Sequence, residues 1–128
     1  MKERILLTGA SGFIGTNLLE DLLKKGYEVK NLDWNKPKIE ERKSLWENVD
    51  IINYDQFEQV VLKFNPEYII HLAARTDLDG KTLEDYDQNI TGVENLMKII
   101  HKLPDLKKII ITSSKFVTRN GYKIMNQH

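Results

Sequence analysis

Three glycines fall at equal intervals in Thr8-Gly9-Ala10-Ser11-Gly12-Phe13-Ile14-Gly15. Glycine in such a stretch serves the backbone and not a side chain's chemistry. Gly9 would let the chain turn sharply, and Gly12 would let the backbone approach a pyrophosphate without a Cβ between them. Gly15 would allow a helix to pack closely on a strand. Unpaired amides at the start of the following helix, with its dipole, would then hold the negative charge. Asp33 stands 18 residues beyond Gly15, about where a carboxylate accepts both hydroxyls of an adenosine ribose. It would also repel a 2′-phosphate, and no arginine stands next to it or inside the glycine loop. The expectation is therefore NAD over NADP. The competing readings are a structural turn with incidental glycines and an ordinary solvated aspartate.

A glycine triplet without context is weak, so the elements around it decide its weight. Ile5-Leu6-Leu7 reads as a short strand entering the loop. Behind it a helix carries Ile14, Leu18 and Leu22 at intervals of four, with Leu19 and Leu23 beside them; Lys24 and Lys25 suit its last turn, and Gly26 its stop. Val29 to Leu32 is a second strand closed by Asp33, and strand, glycine turn, helix and strand make a βαβ unit. Asn35 to Glu47 reads as irregular or as a short helix opened by Pro37. Val49-Asp50-Ile51-Ile52 reads as a third strand. Asp55 with Glu58 looks like a capping pair for a helix carrying Phe57, Val60, Val61 and Phe64, which Asn65-Pro66 ends. Tyr68 to Leu72 is a fourth strand. Beyond a polar loop from Arg75 to Lys81, Thr82 and Asp85 would cap the longest helix, whose stripe is Tyr86, Ile90, Val93, Met97 and Ile100. Lys107 to Thr112 is a fifth strand, its three isoleucines suggesting burial on both faces. The tail after Ser114 holds only the turn Arg119-Asn120-Gly121. This order predicts an α/β fold: a Rossmann-type doubly wound parallel sheet of about five strands with helices on both faces, ending after strand five.

Composition narrows the function classes. The 128 residues carry 19 basic and 19 acidic side chains, which argues against a nucleic-acid binder, since such proteins carry a basic excess. With 41% apolar and 30% charged residues the chain reads as globular. There is no cysteine, so neither a disulfide framework nor a thiolate metal site can form, and no metal is expected. No apolar run approaches the roughly 18 residues of a membrane span, and no signal-peptide core follows Met1. The expectation is one cytoplasmic domain over residues 1–128.

The TGxxGFIG spacing of Thr8 to Gly15 resembles the extended short-chain dehydrogenase/reductase superfamily, and within it the NAD-dependent epimerases and dehydratases of nucleotide sugars. The likeness runs from Ile5 to about Val117. It implies a dinucleotide held by Gly9, Ser11, Gly12, Phe13, Ile14, Gly15 and Asp33, with Asp50-Ile51 meeting the adenine. His71-Leu72-Ala73-Ala74 resembles the family's HLAA segment, against the pyrophosphate and nicotinamide ribose. Asn89, followed by Gly92, resembles its Asn-x-x-Gly, where the asparagine supports the cofactor loop. Thr112-Ser113-Ser114 resembles the strand-end serine run, whose last hydroxyl, Ser114, would lie beside the reacting sugar as the catalytic group. For His71 a satisfied strand histidine competes with a catalytic base, and the serines could simply end their strand. The resemblance further implies a nucleotide-sugar substrate in the intact enzyme and a homodimer through the long helix 82–102.

The family's acid/base pair is a Tyr followed four residues later by a Lys. None of the five tyrosines, Tyr27, Tyr54, Tyr68, Tyr86 and Tyr122, has that lysine. A free tyrosine has a pKa near 10, so roughly one molecule in a thousand is phenolate at pH 7, and the lysine is what lowers it. The sequence therefore reads as the amino-terminal part of a longer enzyme, inactive alone. The alternatives are another extended-family enzyme resembling the 3β-hydroxysteroid dehydrogenases, and a non-catalytic NAD-responsive module.

Overall fold

The computed structural model describes residues 2–34, 36–37, 39–72 and 83–112, with the backbone alone for 83–89. Along the chain come β1 (Arg4–Thr8), α1 (Phe13–Lys24), β2 (Glu28–Asp33), a 3₁₀ helix (Glu40–Leu45) and β3 (Trp46–Asn48). They are followed by α2 (Tyr54–Phe64), β4 (Tyr68–His71), α3 (Leu83–Ile100) and β5 (Lys108–Ile111). Every strand pair is parallel and the order is β3-β2-β1-β4-β5. The chain thus winds outward from β1 in one direction and then returns to wind outward in the other. The winding reverses between β1 and β4, and the carboxyl ends of strands at such a switch point are where open parallel sheets form a crevice.

β1 sits at the centre with both faces covered, which accounts for its unbroken Ile5-Leu6-Leu7. Leu6, with Leu32 and Ile69, packs against Phe57 and Val61 of α2 and Leu96 and Ile99 of α3. Ile5 and Leu7, with Val29, pack against Leu19 and Leu22 of α1 on the other face. Gly26 follows α1 with φ 91°, and Asn65 closes α2 in the left-handed region at φ 51°, so both helix ends fall where expected.

Several elements depart from the sequence reading. The third strand is Trp46–Asn48, not residues 49–52. Asp50 turns the chain there: its Oδ1 accepts from the Ile52 N–H at 3.1 Å and its carbonyl from the Asn53 N–H at 2.9 Å. Val49 is buried all the same, so that apolar run marks a core position and not strand pairing. α2 is capped by Asn53, whose side chain accepts from the Gln56 N–H, and Asp55 lies inside its first turn. Trp46, grouped above with a possible short helix, is a strand residue whose Nε1 donates to the Asp33 carbonyl at 2.7 Å. In α1 Ile14 is exposed, while Gly15, Leu19 and Leu22 face the sheet. α3 likewise buries Gly92, Asn95, Leu96 and Ile99, leaving Val93, Met97 and Ile100 half-buried and Ile90 exposed. The buried face is rotated about one residue from the expected stripe. β5 is not covered on both faces either. Ile109 packs toward α2 and α3, but Ile110 on the α1 side is 48% exposed, because α1 lies over β1 and β2. The expected cap at Thr82 and Asp85 and the turn at 119–121 lie outside the described residues.

His71, at the end of β4, is 1% exposed, and its Nδ1 lies 2.6 Å from the Thr8 Oγ1 across the β1–β4 pairing. It is a satisfied strand histidine. Burial lowers its pKa to about 4 from 6.5, so the ring is neutral at pH 7 and packs as part of the core. The unfolded chain then binds the proton more readily, and stability is lost as pH falls from 6.5 toward 4. His71→Gln removes this titration. Chemical unfolding of both proteins between pH 7 and 4.5 should show the wild type losing about 2.4 kcal/mol more than the variant. Parallel pH profiles would mean that His71 does not titrate differently in the folded chain.

Candidate nucleotide site

The glycine loop joins β1 to α1 over the crevice. At Gly9 the chain turns with φ 73°, a conformation only glycine adopts without strain, and its N–H donates to the Leu32 carbonyl at 2.9 Å. At Gly15 a Cβ would sit 2.3 Å from the Ala10 Cα and 2.7 Å from its carbonyl carbon. No rearrangement of a side chain relieves that overlap, so α1 lies against the loop only because position 15 has no Cβ. Gly12 is different. Its φ of −83° and ψ of −172° suit any residue, and a Cβ there would meet nothing within 4 Å. The folded chain makes no demand for glycine at 12, and the space a side chain would take at this residue before α1 is open. The first N–H groups of that helix have no acceptor within it, the Thr16 N–H being the first to reach back, to the Gly12 carbonyl at 2.9 Å. A cradle open above glycine at a helix N-terminus fits a pyrophosphate. Phe13 and Ile14 flank it with exposed side chains, Phe13 at 83%.

β2 supplies the floor. Asp33 is buried at the strand end, and its Oδ2 accepts from the Ser11 N–H at 3.2 Å. Its carbonyl holds β3 through Trp46 Nε1 and the Val49 N–H. The carboxylate is thereby fixed beside the loop, where a ribose next to the pyrophosphate would reach it. Asn31, two residues earlier on the same face, was not singled out from the sequence. It is 1% exposed; its Oδ1 accepts from the Ala10 N–H at 2.9 Å and its Nδ2 donates to the Ser11 Oγ at 3.2 Å. The signal was a polar amide between Val29 and Asp33 on the buried face of the strand, where it needs partners.

On the far side of β2, Asp50 and Ile51 form the turn after β3. α3 presses on that turn: Asn95 Nδ2 donates to the Ile51 carbonyl at 2.9 Å and the Ile52 carbonyl at 3.3 Å. A Cβ on Gly92 would come within 2.3 Å of the Ile51 Cδ1. Gly92 was read as part of Asn-x-x-Gly; Asn95 was missed, though an asparagine inside a helix is an unfavourable choice unless its amide finds partners. Leu72 and Thr112 directly follow β4 and β5 at the same end of the sheet as Thr8. The Leu72 N–H donates to the Thr8 carbonyl at 2.8 Å, and the Thr112 N–H and Oγ1 donate to the His71 carbonyl at 3.1 and 3.0 Å. Gly9 to Gly15, Asp33, Leu72 and Thr112 therefore share one edge of the sheet, with Asp50-Ile51 at the turn beyond β3. Ala73, Ala74, Ser113, Ser114 and the side chain of Asn89 lie outside the described residues.

Comparison with known proteins agrees with this geometry. The sequence model of the NAD dependent epimerase/dehydratase family matches residues 5–122. A UDP-N-acetyl-alpha-D-glucosaminuronate decarboxylase of Bacillus cytotoxicus is 33% identical over 129 aligned residues, covering 94% of this chain and 39% of that protein. The crystal structure of UDP-glucose 4-epimerase from Thermotoga maritima with UDP-glucose superposes with a TM-score of 0.74 at 31% identity, over 84% of this chain and 37% of that one. UDP-glucose 4-epimerase from Bifidobacterium longum, in complex with NAD+ and UDP, gives a TM-score of 0.76 at 28% identity, over 90% of this chain and 38% of that one. This chain spans less than two fifths of the length of these relatives. With the family match covering nearly the whole sequence and a parallel sheet in the order β3-β2-β1-β4-β5, the chain belongs to the NAD-dependent epimerase/dehydratase family.

Proposed function

We propose that this chain binds NAD along the carboxyl edge of its sheet and forms the cofactor half of an enzyme acting on a nucleotide sugar. The observation that carries the reading is Gly12, whose missing side chain serves nothing in the folded chain and leaves open the approach to the α1 N-terminus. The pyrophosphate would lie there, with Asp33 accepting from the adenosine ribose and Asp50-Ile51 beside the adenine. Leu72, Ala73 and Ala74 would lie against the pyrophosphate and nicotinamide ribose and Asn89 would support the cofactor loop, with Thr112 and Ser113 leading to Ser114 next to the sugar. When bound, the nicotinamide supplies a hydride acceptor that can return the hydride, the chemistry an epimerase or dehydratase needs at a sugar carbinol. His71 is given no role as a base, since its ring is buried in the strand and its Nδ1 is bonded to Thr8. Exposed Ile90 with half-buried Val93 and Met97 leaves an apolar strip on α3, which supports a homodimer through helix 82–102.

Gly12→Val separates ligand binding from folding. Its circular dichroism should match the wild type, because a Cβ at 12 meets nothing within 4 Å, while titration calorimetry should show NAD+ binding weakened by at least about tenfold. Unchanged affinity would put the pyrophosphate elsewhere.

Asp33 sets cofactor choice. The wild type should bind NAD+ more tightly than NADP+, and Asp33→Ala should narrow the ratio by about one to two decades, the worth of a hydrogen bond to a charged group. Equal affinities in the wild type would remove the ribose assignment.

A further inference from the structure

The three glycines do not account for the shape of the loop between Gly9 and Gly12. Ala10 and Ser11 are both buried there, and a buried loop must find partners for its backbone N–H groups. It finds them on β2. The Ala10 N–H goes to the Asn31 side chain and the Ser11 N–H to Asp33, while Asn31 also donates to the Ser11 hydroxyl. One amide side chain, itself buried, thus meets two consecutive loop residues with both of its polar atoms. An apolar residue at 31 would continue the buried position of Val29 on that face, which Asp33 closes at the strand end. It would leave the Ala10 N–H buried without a partner.

We propose that Asn31 is the positioning residue of the glycine loop: its amide preforms the loop before any ligand arrives and reserves the α1 first-turn amides for the pyrophosphate. The proposal rests on the NAD reading for the identity of the ligand, but not for the preformed loop. Asn31 touches no phosphate. It acts through Ala10 and Ser11, so its removal should weaken ligands that carry the pyrophosphate and spare those that do not.

Amide hydrogen exchange on the full chain, followed by NMR, tests the loop directly. Without ligand the Ala10 N–H should be protected like a strand amide, and saturating NAD+ should leave it unchanged while protecting Phe13, Ile14 and Gly15. Asn31→Leu, which keeps the branching and the number of side-chain heavy atoms, should lose the Ala10 protection. It should bind NAD+ at least about tenfold more weakly yet bind adenosine within about twofold of the wild type. A general loss of structure would lower both affinities together. That result, or rapid exchange at Ala10 in the ligand-free wild type, overturns the proposal. Should the leucine variant fail to fold, ligand-free exchange in the wild type still decides it. Failure of the wild type to bind NAD+ would sink the cofactor reading alone, because the Ala10 measurement needs no ligand.

Discussion

A single close approach organises this molecule: α1 lies against the loop that precedes it, with Gly15 where a Cβ would overlap the Ala10 backbone at 2.3 Å. Interiors are packed too tightly to absorb such an overlap, so the contact exists only with glycine there. From it follow the direction of the α1 axis, the burial of Leu19 and Leu22 against β1 and β2, and the placing of the helix N-terminus over the crevice. The same contact serves packing and leaves the first-turn amides of that helix at the crevice, where helix N-termini favour anions.

The polar groups of the sheet are distributed accordingly. Midway along β1 and β4 the side chains are Ile5, Leu6, Leu7, Ile69 and Ile70. At the carboxyl edge they give way to Thr8, His71, Asn31 and Asp33, all buried. Burying such groups costs free energy unless each is bonded, and each has a partner on a neighbouring strand or on the glycine loop. At the opposite edge, charge is handled at the surface. The Arg4 guanidinium bridges the Asn65 carbonyl and Asp105, and Lys107 sits between Glu3 and Glu67. Exposed pairs of that kind add little to stability. The buried edge is the one proposed to meet the dinucleotide.

The glycine loop, Asp33, the central strands and the parallel winding were legible in the residues, because each depends on local chemistry. A sharp turn needs glycine, a strand buried on both faces reads as continuous apolar residues, and a parallel neighbour demands a crossover helix. Neither the site of β3 nor the buried face of α3 was legible in this way. An edge strand as short as Trp46–Asn48 has no periodicity to read, and the apolar residues after it are buried by a turn. The stripe from Ile90 to Ile100 was counted by hydrophobicity alone, yet the close approach of Gly92 to Ile51 and the bonds of Asn95 turn the helix toward a small and a polar residue instead.

The residue types and their spacing were enough to specify a glycine loop at the head of a parallel α/β sheet. That follows because backbone conformation and hydrophobic periodicity are properties of neighbouring residues. Which polar side chains hold that loop in shape was a different matter. Asn31 and Ala10 are far apart along the chain, and so are Asn95 and Ile51. Each pair meets only after the strands and helices have packed, and a hydrogen bond between such residues leaves no local pattern in the chain. The sheet had to assemble before Asn31 had anything to bond.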